Sequence, residues 1–551
     1  MKKYQTLLEK IRDYFPAPTS DKMHDAYFVS TIMHALDQLD EMKGTAPVLG
    51  KHENIDYSKS SKEKIPENLS RVEDTVSRIV EYACGLEIWG HPNTQTNVIP
   101  PATIPSIVGK LISSTCNANI IWDEYSHRFA LAEVEASGML CDLIGYELDK
   151  SCGVFTFGGT GTNLYGVYAG IMKAIPDAKK KGIREDVRVF TSECGHYSLM
   201  NVVSWLGIGI DNLISIETSR DNDMRIDRLE EELEETISSG VKVGCVVATM
   251  GTTDAFGIDD LKEIIKVRDK MVGEFDLDYV PHVHADAVIG WVWSVFNDYD
   301  FSNNPLEFSK RTLRSINDSR EKIKYLHLAD STGVDFHKTG YGPYISSAFL
   351  VKNRSDLEPL YRKQDDMPYL YQFGEYHPGM FTLECSRAAD GPMAALANLR
   401  LLGREGYRVI IGHVVEMAEI LRERFESFNF IHVLNDYNLG PVTLFRVYPE
   451  GIDDATMFYS KEVSDPGFSE ILKKHNKYNR AIFEFTHKEA MLGRGVTLSL
   501  TECYRKTTYS EPEEIPILAI KSFIMSPFTD ENAIQAVADK VLEAREHTQM
   551  E

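Results

Sequence analysis

No two cysteines form a CxxC pair among the eight present, at positions 84, 116, 141, 152, 194, 245, 385 and 503. A zinc ribbon and a disulfide framework are therefore excluded, and a reducing, cytoplasmic compartment is expected. No run of about 18 apolar residues occurs, so no membrane-spanning helix is expected. The opening Met1-Lys2-Lys3-Tyr4-Gln5 leads into mixed polar sequence without the apolar stretch of a secretory leader. Positive charge is the other shortage: 59 Lys and Arg against 83 Asp and Glu leave a net charge of −24. A field of that sign argues against nucleic acid and anionic membranes as partners. It also means that an anionic ligand must be held by local donors.

What is present is ordinary for a globular protein: 551 residues, 43% hydrophobic and 26% charged, enough for two or three domains with a large core. The first 70 residues are polar, with one expected helix and a Lys/Ser-rich loop near 58–64. Helical spacing runs from Arg71 to Cys84. The Pro-rich stretch Gly90–Pro105 cannot be a regular element, and ordered loops of this kind often line a site. Helices are expected over Ile107–Asn119 and Leu131–Ile144.

From Val154 onward, short apolar strands alternate with helices. Strands are expected at Val154–Phe157, Val187–Thr191, Val243–Thr249, Val280–His284 and Ser347–Val351. Helices are expected at Leu164–Ala174, Leu199–Leu206, Ile226–Ile237 and Leu261–Val272. That alternation predicts an α/β fold, a mainly parallel sheet with helices on both faces. Ligands in such folds bind beyond the carboxyl ends of the strands. The charged segment Asn303–Lys324 reads as an insertion. A long helical stretch follows Gly391, then a smaller α/β region begins at Val442 and closes with Lys521–Pro527 and a final helix. The division expected is 1–115, 116–405 and 406–551.

Five motifs fall at strand ends. Phe157-Gly158-Gly159-Thr160-Gly161-Thr162-Asn163 opens a helix, where glycines admit a ligand to the backbone and free N–H groups and hydroxyls favour an anion. It is neither a Walker A loop nor a dinucleotide fingerprint, and alone it is also an ordinary strand-to-helix turn. His196, in Gly195-His196-Tyr197-Ser198, could stack on a planar ligand or move protons, though a lone histidine is usually structural. Thr249-Met250-Gly251-Thr252-Thr253 adds hydroxyl donors. His282-Val283-His284-Ala285-Asp286 has two functional readings: metal ligands alternating along a strand, or Asp286 alone as a buried carboxylate that needs a cationic partner such as a protonated heterocycle. Lys338, in Asp335-Phe336-His337-Lys338-Thr339-Gly340-Tyr341-Gly342-Pro343-Tyr344, is a solvated turn lysine or a nucleophile toward carbonyls. The shared location of all five favours one site.

At this point the chain resembles the pyridoxal-phosphate-dependent group II amino acid decarboxylases. The resemblance is carried, in family order, by His91-Pro92 with Pro100-Pro101, Gly145-Tyr146, Gly159–Asn163, His196, Gly251-Thr252-Thr253, His284-Ala285-Asp286-Ala287, Ala329-Asp330-Ser331 and Asp335–Lys338. It runs from about His91 to the C-terminus, and His196-Tyr197-Ser198 and the Lys338 turn are most similar to bacterial tyrosine decarboxylases. The resemblance implies fold-type I, a cytoplasmic homodimer with shared active sites, and pyridoxal 5'-phosphate linked to Lys338. It implies Asp286 at the pyridine nitrogen, His196 stacked on the ring, and Thr160, Gly161, Thr162 and His337 near the phosphate. Thr252, Val288 and Ser331 complete the implied cofactor set, and His91, Gln95 and Asn97 the substrate loop. Tyr344 matches the proton donor of the tyrosine-decarboxylase branch, with Tyr369 and Tyr371 as the other candidates. Phe336 departs from the family, where many relatives have Pro, and Val288 replaces a smaller residue.

The function expected is decarboxylation of an L-amino acid, leaning aromatic because the 93–97 loop offers amides and no arginine. The alternatives are an acidic amino acid decarboxylase, a pyridoxal-phosphate carbon–carbon lyase, a metal-dependent hydrolase using His282, His284 and Asp286, and a non-catalytic protein of this fold.

Overall fold

β-branched runs such as Lys242-Val243-Gly244-Cys245-Val246-Val247-Ala248-Thr249 fit a pleated surface buried on both faces, and this one is an interior strand of a seven-stranded sheet. The computed structural model describes residues 2–367, 373–509 and 514–548. The sheet comprises β1 (Cys152–Thr156), β2 (Val187–Ser192), β3 (Leu213–Ile216), β4 (Lys242–Thr249), β5 (His282–Asp286), β6 (Ser331–Asp335) and β7 (Ser347–Val351). Their spatial order is β1-β7-β6-β5-β4-β2-β3. β3, β2, β4, β5 and β6 pair in parallel, while β7 runs antiparallel to both β6 and β1. The carboxyl ends of β1, β4, β5 and β6 therefore face the same edge, the α/β arrangement expected of fold-type I.

Two differences from expectation matter for function. The fifth strand is His282–Asp286, with Val280 48% exposed outside it, so that Asp286 closes the strand and still belongs to it. β6 has no hydrophobic signature, because Ser331-Thr332-Gly333-Val334-Asp335 is mostly small and polar; burial on both faces makes it a strand. The charged 303–324 segment contains the helix Lys310–Ile323, capped by Ser309 on the Thr312 N–H.

The helix Gly159–Ala174 lies directly on β5. A Cβ on Gly166 would fall 2.5 Å from His284 Cγ, and one on Gly170 would fall 3.0 Å from His282 Cβ, so the two glycines set the approach. On the other side, the helix Arg128–Ile144 is tied to β1 by Glu133, which accepts from the Phe155 N–H at 2.7 Å and pairs with buried Arg387.

A second sheet, in the order β10-β11-β9-β8, is antiparallel: β8 (Ile431–Val433), β9 (Val442–Val447), β10 (Ser499–Lys506) and β11 (Pro516–Phe523). The helix Asp390–Glu426 leads into it, and the expected boundary after residue 405 falls inside that helix, next to its non-helical residue Gly403 (φ +55°). The N-terminal helices Lys3–Arg12 and Lys22–Glu41 bury none of their residues, and Ile104–Cys116 buries only Ser106, Gly109 and Ser113.

Candidate active site

β6 delivers the chain to the site edge, and the turn that follows it is held on all sides. Thr339 Oγ1 donates to the Ile289 carbonyl at 2.7 Å, and Tyr341 OH to the Met525 carbonyl at 3.0 Å. The Gly340 carbonyl accepts from Asn398 Nδ2 at 2.8 Å and from Tyr407 OH at 3.1 Å. Phe336 is fully buried between Phe155 and Trp291, and a Cβ on Gly340 would fall 2.7 Å from Phe336 Cδ1. Phe336 thus anchors the turn from inside the core. Lys338 is consequently 18% exposed in an ordered setting, and the solvated-turn alternative gives way.

Asp335, which the motif analysis gave no role, is the immediate partner of that lysine. Its Oδ2 lies 3.1 Å from Lys338 Nζ and 3.4 Å from His337 Nε2, while Ser347 Oγ donates to Oδ1 at 2.6 Å. Only 1% exposed, Oδ2 has these ion-pair neighbours but no hydrogen bond. A carboxylate three residues before a candidate lysine is the signal that could have found it. His337 is buried against the Ser346 carbonyl at 3.2 Å, and burial lowers its pKa.

Asp286 ends β5, in register with Thr249 of β4 and Gly333 of β6. Asn163, from the helix Gly159–Ala174, donates through Nδ2 to Asp286 Oδ2 at 3.0 Å and to Ser198 Oγ at 3.3 Å. Asp286 Oδ1, Asn163 Oδ1 and Thr249 Oγ1 are buried without a hydrogen-bond partner. Buried polar atoms are normally satisfied, so these unmet acceptors and the hydroxyl ask for a ligand with a protonated nitrogen or other donor. His196, whose ring stacks on that of Tyr197 at 4.4 Å, lies within electrostatic reach of Asp286 and Lys338. Its Nδ1 accepts from the Ser198 N–H at 3.2 Å, which leaves the proton on Nε2. Burial lowers its pKa, with Asp286 opposing and Lys338 adding to the effect.

The Gly-rich motif is the first turn of the helix itself. Gly158 (φ +104°) precedes it and no side chain caps it, so free N–H groups and the positive dipole end point to the site edge. A Cβ on Gly161 would fall 2.6 Å from Thr156 Oγ1, and one on Gly159 3.1 Å from Asp335 Oδ2 and 3.2 Å from Val288 Cγ1. Thr160 is half-exposed at this turn, and Val288 is buried beside it. Thr162 is fully buried and turns its hydroxyl back onto the Gly159 carbonyl at 2.8 Å.

Other expected site residues are placed differently. Ser331 starts β6, at the opposite end from Asp335, and its hydroxyl lies 2.8 Å from His282 Nε2 and 2.8 Å from His284 Nδ1. It is a structural residue beneath the sheet edge, and its assignment to the cofactor is corrected. The metal alternative fails for the same reason: both imidazoles are fully buried and turned onto Ser331, and no metal-holding group of three or more His, Cys, Asp or Glu occurs among the described residues. Thr252 Oγ1 accepts from the Gly257 N–H at 2.8 Å, closing a loop after β4 while keeping its own hydrogen to donate. Gln95 is fully buried, with its Oε1 accepting from Ser522 Oγ of the second sheet at 2.6 Å and its Nε2 without a hydrogen-bond partner. Asn97 accepts from its neighbour Val98 N–H, and His91 Nδ1 from the Asn93 N–H at 3.1 Å. Tyr344 is 47% exposed, its ring 4.2 Å from that of His337, and burial of its hydroxyl pushes its pKa up to about 12. Tyr369 and Tyr371 lie outside the described residues.

A family profile described as "Pyridoxal-dependent decarboxylase conserved domain" matches residues 52–292, a span that includes Asn163, His196 and Asp286 and stops before Lys338. The chain is 26% identical over 399 residues to an L-2,4-diaminobutyrate decarboxylase of Acinetobacter baumannii, covering 69% of this chain and 72% of that one. It is 24% identical over 436 residues to an aspartate 1-decarboxylase of Aliivibrio fischeri, covering 74% and 73%. Its fold matches that of the glutamate decarboxylase domain of a Vibrio parahaemolyticus diaminobutyrate-pyruvate transaminase and L-2,4-diaminobutyrate decarboxylase, with a TM-score of 0.72, 18% identity, and coverage of 98% and 99%.

Proposed function

From the premise that the chain is a pyridoxal-phosphate-dependent amino acid decarboxylase of the pyridoxal-dependent decarboxylase family, we propose which side chains perform the reaction and which substrate they admit. The residues at the site edge fit the cofactor. The observation that carries this is the unpartnered, buried Oδ1 of Asp286, whose other oxygen is held by Asn163, on the same edge as Lys338 and the Gly159 turn. Bound pyridoxal phosphate supplies an electron sink for the carbon that loses CO2.

In this reading Lys338 is the covalent anchor, and Asp335 positions its amine. Asp286 keeps a protonated ring nitrogen charged, because an adjacent carboxylate favours the cationic form. Asn163 fixes the carboxylate's orientation. Neutral His196, with its tautomer set by the Ser198 N–H, offers a flat face and an Nε2 proton. Thr160, Gly161 and Thr162 would offer the helix N-terminus to the phosphate, with His337 as a further phosphate residue, and Val288 would serve the ring. Thr252 has a hydroxyl hydrogen to give to the ring oxygen. Tyr344, a phenol protonated near neutral pH, holds the proton that the α-carbon needs after CO2 leaves.

The substrate proposed is an aromatic L-amino acid. Support comes from Phe157, Tyr197, Tyr344 and Ile345, apolar side chains that stay exposed next to the Gly158 turn, His196 and His337. A second reading, a short acidic or diamino substrate, is supported by the names of the relatives, which act on diaminobutyrate and aspartate. Measuring CO2 release from L-tyrosine, L-tryptophan, L-aspartate, L-glutamate and L-2,4-diaminobutyrate tests both. The first reading requires an aromatic amino acid to be preferred. Preference for aspartate, glutamate or diaminobutyrate replaces it, and carbon–carbon cleavage without CO2 overturns the decarboxylase assignment.

A homodimer is also proposed. The N-terminal segment and Ile104–Cys116 expose Leu7, Phe15, Met23, Met33, Ile104 and Ile107, more apolar surface than a lone chain usually leaves to water. A cytoplasmic setting suits the eight free cysteines. No helix among the described residues is long and apolar enough to cross a membrane.

A further inference from the structure

Lys110 lies on the helix Ile104–Cys116, outside every motif singled out in the sequence. It is half-buried, its amine donates to the Tyr344 carbonyl, and it forms no ion pair among the described residues. Carboxylates outnumber cations by 24 in this chain, so a half-buried ammonium without an acidic partner calls for explanation. Partly desolvated charges need compensation.

What adjoins Lys110 is the anion cradle. The Tyr344 ring packs on His337, 4.2 Å between centroids. Ile345 Cγ2 lies 3.9 Å from where a Cβ on Gly158 would stand, so the 344–346 segment abuts the N-terminus of the helix Gly159–Ala174. The Thr103 N–H donates to the Tyr341 carbonyl at 3.1 Å, which fastens the start of the Lys110 helix to the same turn.

The cradle's own charges do not balance a phosphate dianion. The helix end offers about half a positive charge. Asp335, whose Oδ2 would stand 3.1 Å from a Cβ on Gly159, brings a full negative one. Burial holds the His337 imidazole toward its neutral form, and the Lys110 ammonium adds to that effect. Lys338 is spent on the covalent link.

We infer that Lys110 is the cationic anchor of the cofactor's phosphate, contributed by the N-terminal segment. The inference rests on the cofactor reading proposed above. An ammonium has three donors; one holds the Tyr344 carbonyl and two remain for phosphate oxygens. Lys110 thereby joins the cradle to the loop carrying the proposed proton donor.

The test compares pyridoxal phosphate with pyridoxal, which forms the same carbonyl–amine link but has no phosphate. Full-length wild type, Lys110→Gln and Lys110→Arg are stripped of cofactor and titrated with each aldehyde, following the absorbance band near roughly 420 nm. Lys110→Gln is expected to weaken pyridoxal phosphate about tenfold, as for loss of one charge-assisted contact, and pyridoxal less than about twofold. Lys110→Arg is expected to restore most of the phosphate-dependent difference. Equal losses for both aldehydes would assign Lys110 to loop packing through Tyr344, and no loss for either would remove it from the site; both results overturn the inference. A wild type that forms no band with either aldehyde would instead sink the cofactor reading, and this inference with it.

Discussion

Asp286 and Asp335 are both buried carboxylates at the ends of neighbouring strands, yet their partners divide the work. Asp286 has an amide on one oxygen and nothing on the other, whereas Asp335 has a hydroxyl on one oxygen and two basic side chains near the other. In the proposed reading the first faces the cofactor's protonated nitrogen, and the second positions Lys338. Asp286→Ala is expected to weaken cofactor binding about tenfold to a hundredfold, the loss of a hydrogen bond to a charged group of about 1.5–3 kcal/mol. Titration with pyridoxal phosphate checks it, and unchanged affinity would remove Asp286 from the cofactor. Tyr344→Phe is expected to retain cofactor affinity while slowing amine formation about a hundredfold or more, the usual loss when a general acid is removed. Rapid-quench measurement of the amine separates the two effects; full turnover in this variant would move the proton donor to Tyr369, Tyr371 or a water.

At the scale of elements, β5 shows what was legible and what was not. The apolar-strand pattern placed a strand at this point and Asp286 at its carboxyl end. The shift of its start from Val280 to His282 reflects pairing with β4 and β6, which sequence periodicity does not contain. β6 escaped because a strand of small polar residues carries no hydrophobic signal, and with it went the register that places Ser331 at the wrong end for a ligand. The same strand explains why His282 and His284 resemble metal ligands: alternation puts both on one side, but the side is occupied by a helix bearing Gly166 and Gly170. Burial lowers the His284 pKa to about 4. Its folded pKa lies below the unfolded value of about 6.5, so the stability it contributes is full above that value and is lost as pH falls toward 4. Between pH 7.5 and 5 the loss from this one residue is about 2 kcal/mol. Denaturant melts across that range are expected to show a decline to which buried His282 and His432 also contribute, and His284→Gln, which cannot take up the proton, is expected to lessen it by about 2 kcal/mol. Identical slopes for both proteins would assign the pH dependence elsewhere.

At the scale of the whole molecule, the core is concentrated in the two sheets, and the N-terminal segment contributes little to it. Gly90–Pro105 was legible as an ordered irregular loop because prolines exclude regular structure there. Its partner was not: Gln95 and Thr94 dock on the second sheet through the Ser522 hydroxyl and an isolated bridge to Thr497, hundreds of residues away. Long-range contacts of this kind leave no local pattern, and the same holds for Lys110. Apolar side chains left exposed on the N-terminal helices predict a second copy against them. Sedimentation equilibrium is expected to give twice the 62.3 kDa chain mass, and charged substitutions at Ile104 and Ile107 are expected to shift the equilibrium toward single chains. A monomer at micromolar concentration would refute the dimer and leave those surfaces to another partner.

The central proposal is Lys338 as the covalent anchor. The most direct measurement is borohydride reduction of the protein loaded with pyridoxal phosphate, followed by mass-spectrometric location of the fixed pyridoxyl group. A single label on the peptide containing Lys338, absent from Lys338→Ala, is the result predicted. A label on another lysine, or a loaded protein that takes up none, would contradict it.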